Sequence, residues 1–369
     1  MIKTFKNLFF YELLKSKEKY YVLGIMSGTS LDGLDLALCY FEKVKSNWKF
    51  DIIDAKTIPY NLYWKETLSK AHILKTLDFF KLHNNYGIFI GEEINSFLKT
   101  GDYHVNFIAS HGHTIFHQPA ERLTFQLGSG ASVAATTKIT TISDFRTLDV
   151  ALGGNGAPLV PMGDEWLFGE YYFCLNLGGF ANISFKENKV RKAYDICPVN
   201  IIINYLAAKL GAELDRDGIM GRNGKVNQDL LEELNNLKFY KQKPPKSLGR
   251  EWFEFEFLAV LNKMEIAETD KLRTVYEHIA IQIYNSVIEN EGNSLFITGG
   301  GAHNLFLIEL IKKYLRNINI IIPDKKIVDY KEALIFAFLG VLRIRNEHNC
   351  LASVTGASAN SAGGIINKI

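Results

Sequence analysis

The chain has 369 residues, 47% apolar and 22% charged, values ordinary for a globular protein, and its length suggests about two domains. Collagen, low-complexity disorder and disulfide-held mini-proteins are excluded. With 42 Lys+Arg against 40 Asp+Glu, the net charge of +2 gives no bulk field for nucleic acid or an anionic membrane.

Residues up to about Tyr20 read as a short amphipathic helix or a frayed leader, since the run LFFY is too short for a signal-peptide core. No stretch of about 18 apolar residues is present, so no membrane span is expected. From Tyr21 the text YYVLGIMSGTSLDGLDLALCYFE alternates a β-rich run, a Gly/Ser/Thr/Asp turn and a second β-rich run, which predicts a hairpin. A strand is expected over Lys49–Ile58, a helix over Trp64–Leu98 and a strand beginning at Asn106–Ala109. Glycine-rich turns are expected at SHGHT, LGSGAS and DFRTLDVALGGNGAPLVP.

The pattern then restarts. YYFCLNLGGFANISFKENKVRKAYDICPVN predicts a three-strand meander, with Gly178 placed in its first hairpin as Gly28 is in the earlier one. Helices are expected over Asn200–Leu210, Asn227–Leu237 and Lys271–Glu289. SLFITGGGAHNLFLIELIKKYL reads as strand, triple-glycine turn and helix, followed by the strand INIIIP and the helix KEALIFAFLGVLRIR. The repeat suggests two related α/β lobes; the alternative is one mixed domain with coincidental glycines.

Each glycine turn has a chemical and a structural reading. The loop Gly28, Thr29, Ser30, Leu31, Asp32, Gly33, Leu34 and Asp35 could cradle an anion with backbone N–H groups, and Asp32 or Asp35 could reach a hydrated Mg²⁺. An ordinary hairpin turn uses the same residues. Gly178 and Gly179 offer a second such turn. Gly299, Gly300 and Gly301 precede a helix, whose first N–H groups suit a phosphate. Walker-type G-x-x-x-x-G-K-[ST] spacing is absent.

Asp195 is placed after a strand, where a carboxylate acts as general base or simply caps a turn. Arg146, beside Asp144 and Asp149, could hold an anionic group through paired donors, or form a structural Arg–Asp pair. His111 and His113, flanking Gly112, are expected to point apart and so to make a poor metal pair. Cys39, Cys174, Cys197 and Cys350 stand singly, giving neither a zinc nor a redox pair and suiting a reducing cytosol. Metal ligands are not identified by this reading. The segment LKFYKQKPPKSLGREW is a solvated loop, or brings Lys246, Ser247 and Arg250 towards phosphate.

Eight strings occur in one order: GIMSGTSLDGLDLAL, SHGHTIFHQP, DFRTLDVALGGNGAPLVP, LNLGGFANIS, DRDGIMGRNGKVN, PPKSLGREWF, GGGAHN and SVTGAS. Together they resemble the anhydro-N-acetylmuramic acid kinase family, from about Tyr21 to Ile366. The resemblance implies an α/β fold with two ribonuclease-H-like lobes of the sugar kinase/Hsp70/actin superfold around an ATP cleft. It suggests lobes over 21–168 and 169–345, with 346–369 packing back on the first.

It also implies ATP and Mg²⁺ as cofactors, a small-molecule amino sugar as acceptor, no nucleic-acid or membrane partner, a homodimer and a cytoplasmic enzyme. The implied reaction opens 1,6-anhydro-N-acetylmuramic acid with water and phosphorylates the freed 6-oxygen, in peptidoglycan recycling. Asp195 matches the catalytic aspartate, Gly28–Asp35 the ATP-phosphate loop, and His111, Gly112, Asp144, Arg146 and Glu332 the sugar side.

Two positions depart from the family pattern. Cys197-Pro198-Val199 stands where the family has G-P-G, which removes easy positive φ and adds volume beside the base. His113 stands where it has Gln. Both read as lineage variation. A kinase of the same fold for another sugar or small acid, and a non-catalytic nucleotide-binding regulator, are the rival readings.

Overall fold

The run after Glu18 forms strand β1 (Lys19–Ser27), and β2 (Gly33–Val44) returns antiparallel to it with Ser27 opposite Leu34. The computed structural model describes residues 17–28, 30–244 and 246–369. Thr29 and most of the leader therefore lie outside the described residues. β3 (Asn47–Pro59) completes a meander on β2. After the helix Thr76–Leu98, β4 (Phe107–Gln118) runs parallel to β1. β5 (Leu123–Leu127) pairs with the far half of β4, and β6 (Thr141–Ser143) runs parallel to its near half. The last strand, Ile365–Asn367, is antiparallel to β6.

Alternation along these strands sends Leu23, Ile25, Leu36 and Leu38 to one face, against Trp64, Tyr86, Ile90 and Ile94. On the other, Phe338 of the helix Lys325–Ile344 packs on Phe41 and Trp48. A Cβ on Gly24 would come within 2.0 Å of the Ala333 carbonyl oxygen, so this close strand–helix approach requires glycine.

The second sheet is built from β7 (Phe173–Leu177), β8 (Phe180–Glu187), β9 (Val190–Pro198), β10 (Ser294–Thr298) and β11 (Asn319–Ile321). Its order is β11-β10-β7-β8-β9. β7, β8 and β9 form an antiparallel meander, and β10 and β11 run parallel to β7 and β10 respectively. Leu175, Ile183, Ile196 and Ile297 form its core with Leu206, Ile279 and Leu307 from the helices.

The chain divides into two units, residues 17–168 with 330–369, and residues 169–329. Their central sheets share one order and one set of strand directions. In the first, β3-β2-β1-β4-β6 is an antiparallel meander followed by two parallel strands; in the second, β9-β8-β7-β10-β11 is the same. Each is a ribonuclease-H-like sheet, with a glycine turn after its first strand.

Three local expectations are corrected. The helix over Trp64–Leu98 is instead two helices, Leu62–Ser69 and Thr76–Leu98, with a 3₁₀ turn at Ala71–Ile73 between them. The Ser69 hydroxyl donates to the Glu66 carbonyl, and such side-chain bonds compete with the helix. SHGHT is not a turn but lies inside β4, with Gly112 at φ +72° as an irregularity in a continuing strand. Asp195 likewise lies within β9 rather than after it.

Candidate active site

The segment before Asp195 alternates regularly against β8, but the register shifts at the aspartate. Asn182 faces Asp195 while Ala181 faces Cys197, so Ile196 is the extra residue of a bulge. A bulge of this kind re-aims the adjoining side chain. The Asp195 N–H donates to the Lys246 carbonyl at 3.1 Å, and the Leu248 N–H donates to its Oδ2 at 2.8 Å. The side chain is half-buried, and burial pushes its carboxyl up to about 6, with the Leu248 N–H pulling the other way. A carboxylate held by one donor, with its pKa near neutrality, suits proton abstraction.

Lys246 does not turn to Asp195. Its ammonium lies over the Phe239 ring, 4.7 Å from the centroid, and its pKa is lowered by burial. The PPKSLGREW segment thus reaches the site through backbone groups at 246–248, a role its lysines do not signal in sequence.

The glycines of the second unit divide into two kinds. Gly299 has φ +83°, and a Cβ there would lie 2.4 Å from Asn176 Oδ1 and 2.9 Å from the Leu177 backbone. Gly301 is similarly pressed on the Leu177 side chain at 2.7 Å. These two are explained by packing on the end of β7. Gly179 has nothing within 4 Å of its Cβ position, and Gly300 meets only Asn200 Nδ2 at 3.5 Å. Neither has a positive φ, so nothing in the fold demands glycine there. Such positions suit the close approach of a ligand to backbone.

The carbonyls of Gly178 and Gly179 accept from the N–H groups of Val199, Asn200 and Ile201, which open the helix Asn200–Lys209. Those helix donors are therefore already used. Cys197 and Val199 need no positive φ, and both are fully buried in the core of the second unit.

In the first unit, the loop from Gly28 to Gly33 keeps Leu31 at φ +61°, an uncommon conformation for a bulky residue. Its N–H donates to the Gly28 carbonyl at 3.4 Å. A Cβ on Gly28 would meet only Ser30 Oγ, at 3.6 Å, whereas on Gly33 it would strike the Ile58 carbonyl at 2.5 Å. Gly28 is thus open and Gly33 is a strand-pairing glycine. Asp32 is exposed; Asp35 accepts from Thr57 Oγ1 at 2.6 Å; the Leu34 side chain lies in the core.

Arg146 gathers His111 and Glu332, and through His111 the Gly112 carbonyl. Its Nε donates to His111 Nε2 at 3.1 Å and its Nη1 to the Gly156 carbonyl at 2.6 Å, and the guanidinium lies over the Phe336 ring. His111 Nδ1 must then carry the proton it gives to the Gly112 carbonyl, at 2.8 Å. Burial, then the Arg146 charge, hold this imidazole far below its ordinary pKa. Burial lowers Arg146 to about 10, with Glu332 the largest opposing influence. Glu332 is raised by burial and lowered by Arg146 and Lys331. Asp144, at φ +58°, accepts from the Thr147 N–H at 3.3 Å.

A regular strand would place residues i and i+2 on one face. The positive φ of Gly112 breaks that alternation: His111 faces Arg146 and Phe336, while His113 Nδ1 lies 2.9 Å from Ser27 Oγ. Sequence reading missed the partners Tyr60 and Tyr86 of this serine, since buried tyrosines carry no spacing signal. It also weighed Asp149 only as a partner in an Arg–Asp pair. That carboxylate accepts from the Gly156 N–H, Thr355 Oγ1 and Cys350 Sγ, at 2.7, 2.8 and 3.0 Å, and so anchors the loop that Arg146 also holds.

Two units with one ribonuclease-H-like sheet order, each opening on a glycine turn, define the sugar kinase/Hsp70/actin class. Within that class the comparison is specific. The family model described as anhydro-N-acetylmuramic acid kinase matches residues 20–368. A protein of that name from Sulfurovum sp. (strain NBC37-1) is 36% identical over 94% of this chain and 98% of its own. Those from Mannheimia succiniciproducens and Clostridioides difficile are each 34% identical, covering 94% and 91% of this chain and 99% and 95% of theirs. The chain belongs to the anhydro-N-acetylmuramic acid kinase family, and is a phosphotransferase. Among the described residues no helix is long and apolar enough to cross a membrane.

Proposed function

We propose that the protein uses ATP to convert 1,6-anhydro-N-acetylmuramic acid to N-acetylmuramic acid 6-phosphate, as a cytoplasmic homodimer. The observation that carries the reading is the family match over residues 20–368, with Asp195 present in the string YDICPVN. Asp195 takes a proton from water as the oxygen attacks the anomeric carbon. The bond from that carbon to the bridging oxygen breaks, and the freed 6-oxygen receives the γ-phosphoryl group, leaving ADP. A carboxyl near pKa 6 is ionised at pH 7 and so can act as this base.

Nucleotide contacts are assigned in each unit separately: in the first to Gly28, with Ser30, Leu31, Asp32, Gly33, Leu34 and Asp35 shaping its turn, and in the second to Gly179 and Gly300, with Gly178, Gly299 and Gly301 shaping theirs. Gly300 and Gly301 open a 3₁₀ turn, whose first N–H groups lack carbonyl partners within their own helix. Mg²⁺ would neutralise charge on the phosphates. Among the described residues no group of three acidic, His or Cys side chains is built to hold a metal. Mg²⁺ needs none, because it binds through one or two carboxylates, phosphates and water; Asp32 and Asp35 are the candidates. Arg146, its orientation fixed by His111 and Gly156, is assigned to an anionic group of the sugar, with Glu332, Asp144 and Gly112 beside it.

Mass spectrometry of the product made from ATP and the anhydro-sugar in ¹⁸O water tests the reading. Label at carbon 1 with phosphate on oxygen 6 is expected. Unlabelled product, or phosphorylation with the anhydro bridge intact, would overturn it.

A further inference from the structure

The string DRDGIMG, one of the eight that carry the resemblance, begins at Asp215, and no step of the proposed reaction uses it. The Asp215 carboxylate is buried. Its Oδ1 accepts from the Met220 N–H at 2.8 Å and its Oδ2 from the Gly221 N–H at 2.9 Å, which folds the segment back on itself. The same Oδ2 lies 3.0 Å from the hydroxyl of Tyr276, in the helix Glu268–Ile288. That hydroxyl in turn lies 2.6 Å from Asn304 Nδ2. Asn304 directly follows the 3₁₀ turn Gly300–His303 and caps the helix Leu305–Tyr314. All these residues belong to the second unit.

The direction of the bonds follows from groups that act in one way only. The Leu307 N–H donates to one amide atom of Asn304 at 3.0 Å, and that atom must be the oxygen. The other amide atom, 3.4 Å from the Asp215 carbonyl oxygen, is then the nitrogen. An amide nitrogen only donates, so the Tyr276 oxygen accepts from it, and the Tyr276 proton goes to Asp215 Oδ2. Burial, then the Asp215 charge, hold the Tyr276 hydroxyl far above its ordinary pKa, which keeps that proton in place. Packing runs alongside the bonds. Gly218, at φ +70°, lies so close that a Cβ there would be 2.4 Å from Phe306 Cβ and 2.7 Å from Asn304 Oδ1.

We propose that Asp215, Tyr276 and Asn304 form a hydrogen-bonded bridge that fixes the Gly300–His303 turn against the DRDGIMG segment, making Asp215 and Tyr276 positioning residues for the nucleotide. The nucleotide clause rests on the proposed function; the bridge itself does not. Asp215 is 4% exposed and Tyr276 0%, so both act through Asn304 rather than by touching a ligand. Ordering a turn at the moment of binding lowers affinity, and a turn already held avoids that loss.

Hydrogen exchange in the ligand-free, full-length protein tests the bridge. The Ala302 N–H donates to the Gly299 carbonyl at 2.9 Å and reports the turn. Its exchange should accelerate about tenfold in Tyr276→Phe, the loss of one buried hydrogen bond, while the helix Asn200–Lys209 exchanges as before. Asn304→Ser should do the same, because serine keeps a capping oxygen for the Leu307 N–H but has no amide to donate. Unchanged exchange of Ala302 in either variant would overturn the bridge.

Steady-state kinetics test the positioning. The KM for ATP should rise about tenfold in each variant, with kcat less affected. The double variant should be no worse than either single one, because both substitutions remove the same bond. Effects on KM that multiply, or a KM for ATP unchanged in both variants, would refute the positioning of the nucleotide, whatever exchange shows of the bridge. If the unsubstituted protein consumes no ATP, the proposed function fails and the nucleotide role falls with it, while exchange still decides the bridge.

Discussion

Replacing Asp195 with Asn should make the ligand-free protein more stable while nearly abolishing turnover. The carboxyl is raised from 3.8 to about 6, mainly by burial. A raised pKa means the fold favours the protonated form, so the stability this form contributes is complete below about pH 4. It is lost as pH rises through 6. At about 1.4 kcal/mol per pH unit, the ionised aspartate costs the second unit about 3 kcal/mol at pH 8. Asn carries no charge and keeps an oxygen for the Leu248 N–H. It should recover about that amount at pH 8 and almost none at pH 4.

Hydrogen exchange of residues 190–198 against urea reports this unit locally. Turnover should fall by about 10²–10⁴, the usual contribution of a general base. In the unsubstituted enzyme, kcat/KM should fall on the acid side with an apparent pKa of about 6. Equal stability of the two proteins at pH 8 would refute the burial argument. Turnover retained in Asp195→Asn would refute the base.

The two kinds of glycine should separate on substitution. Gly179→Ala, with open space at its Cβ, should leave thermal stability within about 1 kcal/mol yet raise the KM for ATP in steady-state assays. Gly299→Ala should destabilise by more than 1 kcal/mol, about what strain at positive φ costs, because its Cβ also collides with Asn176 and Leu177. Arg146→Lys loses the fork that spans His111 and Gly156 and should raise the KM for the sugar about tenfold or more, measured with ATP saturating. Asp149→Ala leaves the Gly156 N–H and Thr355 hydroxyl without their acceptor and should lower stability by about 2–4 kcal/mol in urea denaturation.

The strands were legible because each is a local run of β-formers bounded by polar turns, and the recurrence of that text at Tyr171 predicted the second meander. Tertiary effects were less legible. SHGHT contains a glycine and polar residues, the composition of a turn. β1 and β5 nevertheless supply partners on both sides, so the chain continues as a strand through it. The gathering of Arg146, His111 and Glu332 depends on a helix almost two hundred positions away in the chain, which no local pattern encodes. Asp195 was found by its motif. The bulge that aims it was not, because a bulge is set by the register of two strands rather than by either one alone.

Cys197 and Val199 show how a departure from a motif can be structural without being chemical. Glycine is indispensable where φ is positive or a Cβ has no room. Neither condition holds here: Val199 sits at φ −127°, Cys197 lies in a strand, and neither has a positive φ. Both side chains are instead enclosed by the core of the second unit. The added volume therefore lies within that core, and it contributes buried apolar surface where glycine would contribute none. Burial also pushes the Cys197 thiol far above its ordinary pKa, so it is not a thiolate that could compete with the carboxylate for the substrate. What holds Asp195 in place is the backbone of 246–248 and the pairing with β8, bonds made by main-chain groups rather than by the side chains of positions 197 and 199.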